Sequence, residues 1–132
     1  MSFSDDIGKF QDEAIKETEE VARRASFKLF RAIINDTPVD TGTLRGNWQT
    51  SAESPKLNRL KKRSASVAIS EALSGSNSLS DEKPIYFTNN LEYAERIEYG
   101  YSRVKSPQGM VRKNLSNVKR YINQSIKEVG NV

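Results

Sequence analysis

The stretch from residue 4 to residue 35 most limits what this chain can fold into. Phe3, Ile7, Phe10, Ala14, Thr18, Val21, Ala25, Leu29 and Ala32 recur at three- and four-residue spacing. That pattern puts them on one stripe of a long amphipathic helix. Ile15, Ala22, Phe30 and Ile33 widen the stripe, which predicts that the C-terminal half is the better buried. Ser2 or Ser4 can cap the start, and Asp5 and Asp6 suit the positive end of the helix dipole. Glu17, Glu19 and Glu20 precede Arg23, Arg24 and Lys28, partly at the favourable four-residue spacing. Pro38 biases Thr37 away from helical torsions, so the helix must stop near Asn35-Asp36.

Beyond that stop the pattern changes. Leu44 to Ala52 reads as a strand, with Leu44, Gly46, Trp48 and Thr50 on one face and Arg45, Asn47 and Gln49 on the other. Residues 53–63 are basic and poor in core residues, a mobile loop. Ser64 to Ser70 alternates, with Ala65, Val67 and Ile69 on one face, as a half-buried strand does. Residues 71–83 are serine-rich and contain Gly75, a second loop. Pro84 to Asn89 is a third strand with proline at its first position. Asn90 can cap a short helix through Tyr93, Ala94, Ile97 and Glu98 that Gly100 ends. Ser106-Pro107 reads as the start of the last helix, with Val111, Leu115, Val118, Ile122, Ile126 and Val129 as its apolar face. The expected fold is α+β: a long N-terminal helix, a small, mostly antiparallel sheet of about three to four strands, a short helix and a long C-terminal helix.

One domain is the expectation for 132 residues, and at 36% apolar residues its core is small. Some surface is therefore expected to be buried only in an assembly. The chain has no cysteine and no histidine. That removes disulfides, thiolate chemistry and the commonest general base and metal ligand, so no cofactor and no metal site is expected. No apolar run is long enough to span a bilayer, and the acidic start is unlike a signal peptide; the chain reads as soluble and cytoplasmic. Its net charge of +4 is uneven, about −3 over residues 1–40 and +7 over the rest. A basic half can follow a phosphate backbone or dock on an acidic partner.

Two blocks stand out, Thr37 to Arg45 and Tyr93 to Gly100. In the first, Asp40 and Gly42 suit a chain reversal. As a cation or phosphate loop the block lacks alternating carboxylates and a Gly-Lys-Ser/Thr ending. Arg45 and Trp48 belong to residue types favoured at interfaces, although tryptophan is as readily core. In the second block, Glu92, Glu95 and Glu98 are the only basis for an enzyme, a hydrolase working through paired carboxylates. Arg96 lies close enough to neutralise them, and a solvated helix surface is the simpler reading. Tyr99 and Tyr101, with Arg103 and Lys105, can stack bases or contact a protein. Lys56, Arg59, Lys61, Lys62 and Arg63 place five positive charges in eight residues. They are the candidate DNA-facing residues, for binding without sequence preference.

Thr37-Pro38-Val39-Asp40-Thr41-Gly42-Thr43-Leu44-Arg45 with Trp48, then Tyr93-Ala94-Glu95-Arg96-Ile97-Glu98-Tyr99-Gly100, then Ser106-Pro107-Gln108-Gly109-Met110-Val111-Arg112 follow one another after a long helix. The ordered trio resembles the phage tail-completion, or head–tail joining, family, also called neck or minor tail proteins. The resemblance implies an α+β fold over residues 1–132 and a non-enzymatic role in closing the tail and joining it to the head connector. It further implies a ring of copies, commonly a hexamer, with connector and tail-terminator or tail-tube proteins as neighbours. The place implied is the virion neck, reached from the host cytoplasm during assembly. Contact with phage DNA in the channel is a further implication, and the alternative function is a DNA-binding module using Lys56–Arg63. The interface candidates are Arg45, Trp48, Tyr93, Arg96, Tyr99, Tyr101 and Arg112. Reversing Arg45 and Arg96 is expected to spare the fold and weaken assembly.

Overall fold

Ser2 begins the first helix with a reciprocal cap. Its hydroxyl accepts the Asp5 N–H at 3.2 Å, and the Asp5 carboxylate accepts the Ser2 N–H at 3.3 Å. The computed structural model describes residues 2–39, 43–92, 94–99 and 109–130. Asp40, Gly42, Tyr93, Gly100, Tyr101, Arg103, Lys105 and Ser106-Pro107 lie outside the described residues, as does the side chain of Arg96. The first helix, α1, spans Phe3–Asp36, and Thr37 leaves it in an extended conformation ahead of Pro38, as the sequence predicts.

The second half of α1 carries the core. Ile33 and Ile34 are buried, whereas Ile7, Phe10 and Ile15 in the first half are exposed. Short α2 (Thr43–Gly46) follows, then β1 (Gln49–Ser51), α3 (Ala65–Ser76), β2 (Tyr86–Thr88), α4 (Ala94–Glu98), α5 (Val111–Leu115) and α6 (Val118–Gly130). α3 and α6 both pack on α1. The chain closes α5 and α6 back along α1: Asn114 of α5 donates to Asp36 at 3.0 Å, and Lys28 reaches Glu128 of α6 at 2.9 Å. Inside, Phe87 of β2 stacks between Phe30 of α1 at 4.2 Å and Trp48 at 4.6 Å, joining helix and sheet through three rings.

The sheet is smaller than expected. Among the described residues it has two antiparallel strands, with Gln49 opposite Thr88, Thr50 opposite Phe87 and Ser51 opposite Tyr86. The strand expected from Leu44 to Ala52 gives up its first part to α2, where Leu44 points into the core as a helical residue. The strand expected at Ser64–Ser70 is the start of α3, which also takes in Glu71–Ser76 of the expected loop. Ser64 caps it by accepting the Val67 N–H, and Ala68, Ala72 and Ser76 form its buried face. Seven residues satisfied both periodicities, and the small side chains four apart decide for the helix by letting it lie close to its neighbours.

The last helix also differs. α5 and α6 are separated by a turn at Ser116-Asn117, and Leu115, Ile122 and Ile126 stay exposed. The buried positions are Asn114, Tyr121 and Ser125, one residue earlier in each case. Their polar atoms are satisfied internally: Tyr121 donates to Asn114 Oδ1 at 3.3 Å, and Ser125 to the Tyr121 carbonyl at 2.8 Å. Asn90 does not cap α4; its amide donates to the carbonyls of Lys56 and Asn58.

Candidate functional site

The residues singled out by sequence fall into a structural set and a surface set. The first centres on Thr37, whose hydroxyl donates to the Ile33 carbonyl at 2.6 Å and accepts the Trp48 indole N–H at 2.9 Å. Trp48 is buried. Arg45 donates from Nε and Nη2 to the Thr37 carbonyl at 3.0 and 2.7 Å, and from Nη2 to the Asn35 carbonyl at 2.9 Å. The last turn of α1 has no basic residue of its own, so Arg45 supplies the cation and the donors that its final carbonyls need. Arg45 is thus tied to the end of α1, which leads us to expect that charge reversal there disturbs the fold as well as any contact it makes.

Arg63 is likewise turned inward. It donates to the Gly46 carbonyl at 2.6 Å, to the Trp48 carbonyl at 2.8 Å and to both oxygens of Glu71 at 3.1 Å. A Cβ on Gly46 would lie 2.0 Å from the Arg63 carbonyl oxygen, so this approach requires glycine. Burial pushes the Glu71 carboxyl upward, but Arg63 and the Thr50 N–H outweigh it and hold the group below the usual carboxylate range. Of the five basic loop residues, Lys56, Arg59, Lys61 and Lys62 are exposed and Arg63 is not. The loop backbone is strapped down by side chains. Asn47 pairs with both the N–H and the carbonyl of Leu60, Gln49 reaches the Asn58 carbonyl, and Thr88 reaches that of Lys56. Leu57 stands out from this strap, 83% exposed.

Glu92, Glu95 and Glu98 do not converge on a reacting centre. Glu92 is exposed and meets Arg59 at 3.3 Å. Glu98 caps α5: Oε1 accepts the N–H groups of Met110 and Val111 at 2.7 and 2.6 Å, and Oε2 accepts the Arg112 N–H at 3.0 Å and its Nε at 2.9 Å. Arg112 also donates to the Glu98 carbonyl. Burial raises the Glu98 carboxyl's pKa, and the N–H groups of Val111 and Arg112, the guanidinium and the Met110 N–H together bring it below the ordinary range. Gly109, at φ +80°, lets the chain pass so close that a Cβ there would lie 2.6 Å from the Glu98 carbonyl oxygen. This role was invisible in sequence, because it joins residues on either side of the 100–108 segment. Arg112 lies 5.2 Å over the exposed Tyr99 ring, so two interface candidates form one outward-facing pair.

Among the described residues no group of three acidic side chains could hold a metal ion, and no helix is long and apolar enough to cross a membrane. A cleft of ≈ 600 Å³ between Ala52-Glu53 and Glu82-Lys83-Pro84 is open to solvent. The surface set is therefore the strap, the Tyr99–Arg112 pair and the exposed apolar residues of α1 and α6. Sequence reasoning named the first two and missed the third as a surface.

A family model described as HK97-gp10_like, "Bacteriophage HK97-gp10, putative tail-component", matches residues 2–100. The match takes in the Thr37–Arg45 and Tyr93–Gly100 blocks and ends before the Ser106–Arg112 block. No curated protein and no solved structure matches the chain.

Proposed function

This chain belongs to the HK97-gp10-like family of phage tail components, and from that premise we propose that it is a non-enzymatic virion protein that completes the tail and joins it to the head connector as a ring. The family match over residues 2–100 carries the reading. The geometry supports it: among the described residues Thr37, Arg45, Trp48 and Glu98 are spent on internal hydrogen bonds, and apolar and charged side chains are left outside. Its partners are then other copies of itself, in a ring of six, with the connector on one side and the tail terminator or tube on the other. Its place is the virion neck, after assembly in the host cytoplasm. Removing the gene from the phage or prophage tests this. Heads and tails should accumulate unjoined in electron micrographs, and purified protein should restore joining in the extract. Normal joined particles without the protein would end the proposal.

A second reading rests on Lys56, Arg59, Lys61 and Lys62, four exposed cations on one anchored strap. They suit duplex DNA of any sequence, in the channel of such a ring or independently of it. Affinity for random duplex should fall steeply between low and physiological salt, with a slope of about −0.9 per phosphate neutralised. No retention at low salt excludes it.

A further inference from the structure

Among the described residues, an apolar face on α1 and another on α5–α6 have no partner, and they carry opposite charge. One is on the first half of α1, where Ile7 (43% exposed) and Phe10 (72%) stand free, with Ile15 (49%) farther round the helix beside Asp81. Residues 3–20 hold seven acids and two bases, and Asp6, Glu13 and Glu17 line the flank beside Phe10. The other is on α5 and α6, where Leu115 (50%), Ile122 (38%) and Ile126 (51%) are exposed, the two isoleucines one turn apart on one side of α6. Residues 111–130 hold five bases and one acid.

The two faces do not meet within one chain. α6 runs antiparallel to α1, with Glu128 beside Arg24 and Lys28, so Ile122 and Ile126 lie level with still later residues of α1. From Phe10 to Lys28 is about 27 Å along a rigid helix. An arm-to-arm pairing of two copies would set two strongly acidic surfaces together, which is unfavourable. The arm and the α6 face instead match in both shape class and sign: helix against helix, apolar stripe against apolar stripe, acid against base.

We propose that the first half of α1 is an arm that docks on the exposed α5–α6 face of a second copy of this chain, Phe10 seating among Leu115, Ile122 and Ile126. The inference rests on the reading that copies associate, and it names the surfaces that join them. Each copy offers one arm and one α6 face, so the contact can pass from subunit to subunit and close a ring.

The absence of native cysteine makes the test direct. Three single-cysteine chains, Ala14→Cys on the arm, Asn123→Cys on α6 and Asn58→Cys on the strap, are mixed in pairs and oxidised, while sedimentation gives the mass of the unaltered protein. The 14–123 disulfide should exceed 14–14 and 14–58 products at least tenfold. Adding Phe10→Asp or Ile126→Asp should remove it while the monomer's circular dichroism stays unchanged. A dominant 14–14 product overturns the proposal in favour of two-fold arm pairing, and a dominant 14–58 product overturns it in favour of the strap. A protein that sediments as an oligomer without the 14–123 link loses this interface but keeps the ring. A protein that neither associates nor joins heads to tails loses both.

Discussion

Trp48 donates its indole N–H to the hydroxyl of Thr37, so a single hydrogen bond of 2.9 Å ties the end of α1 to the start of the sheet. Thr37 holds that oxygen in place by donating to Ile33, and Phe87 stacks on the tryptophan from the other side. Thr37→Val keeps the shape and leaves the buried indole N–H unpaired, at a cost of about 1–3 kcal/mol. Trp48→Phe also removes packing, and in the double variant the two losses should add to less than their sum. Urea unfolding followed by circular dichroism reads all three; a Thr37→Val protein as stable as the parent contradicts the claim.

Arg45 is expected to behave as a folding residue. Arg45→Ala removes three donor contacts from the last carbonyls of α1 and should cost about 1–3 kcal/mol. Arg59, whose only described partner is the exposed Glu92, should change stability by less than about 0.5 kcal/mol when replaced by alanine. Thermal melts of the two variants beside the parent separate the roles, and equal melting temperatures would refute the assignment of Arg45.

What the sequence made legible follows from the range of the forces involved. α1, its cap and its stop at Thr37-Pro38 are local, written in periodicity and in one proline. β2 was legible for the same reason, as a short aromatic run after Pro84. The α3 segment was not, because Ala65, Val67 and Ile69 alternate as a strand does, and only packing on α1 and β1 selects the helix. On α6 the periodicity alone points to the most apolar face as the inner one. The chain buries the adjacent face, where Asn114, Tyr121 and Ser125 satisfy one another, and leaves the isoleucines outside. The inward turn of Arg63 and the capping by Glu98 join residues 8 or more apart through loops, where no local pattern signals the partner.

Acid should weaken this fold through Glu98 and Glu71. Both carboxyls lie below their ordinary pKa in the folded chain, because backbone and arginine donors outweigh burial. A lowered folded value means the stabilisation is full above the unfolded value, near 4.3, and disappears as pH falls through the folded value. Stability measured by denaturant at steps from pH 7 to pH 3 should therefore decline at the acid end. Glu98→Gln should start lower at pH 7 and lose less on acidification. A parallel decline in parent and variant would mean that Glu98 contributes nothing to the pH dependence.

Gly109 and Gly8 should respond in opposite directions to the same change. At Gly109 an alanine must adopt φ +80° and place its Cβ 2.6 Å from the Glu98 carbonyl oxygen, in the turn that leads into the α5 cap. The left-handed conformation alone costs about 1–2 kcal/mol for a residue with a Cβ, and the displaced oxygen adds to it. Gly8 sits inside α1 with nothing within 4 Å of the added methyl, so alanine should stabilise the helix by about 0.5–1 kcal/mol. The gain should appear chiefly as slower amide exchange in the first turns of α1, because that half of the helix packs little on the body. Global unfolding should register Gly109→Ala strongly and Gly8→Ala weakly. If Gly109→Ala unfolds at the parent's denaturant concentration, the close passage of the chain over Glu98 is not how α5 is capped.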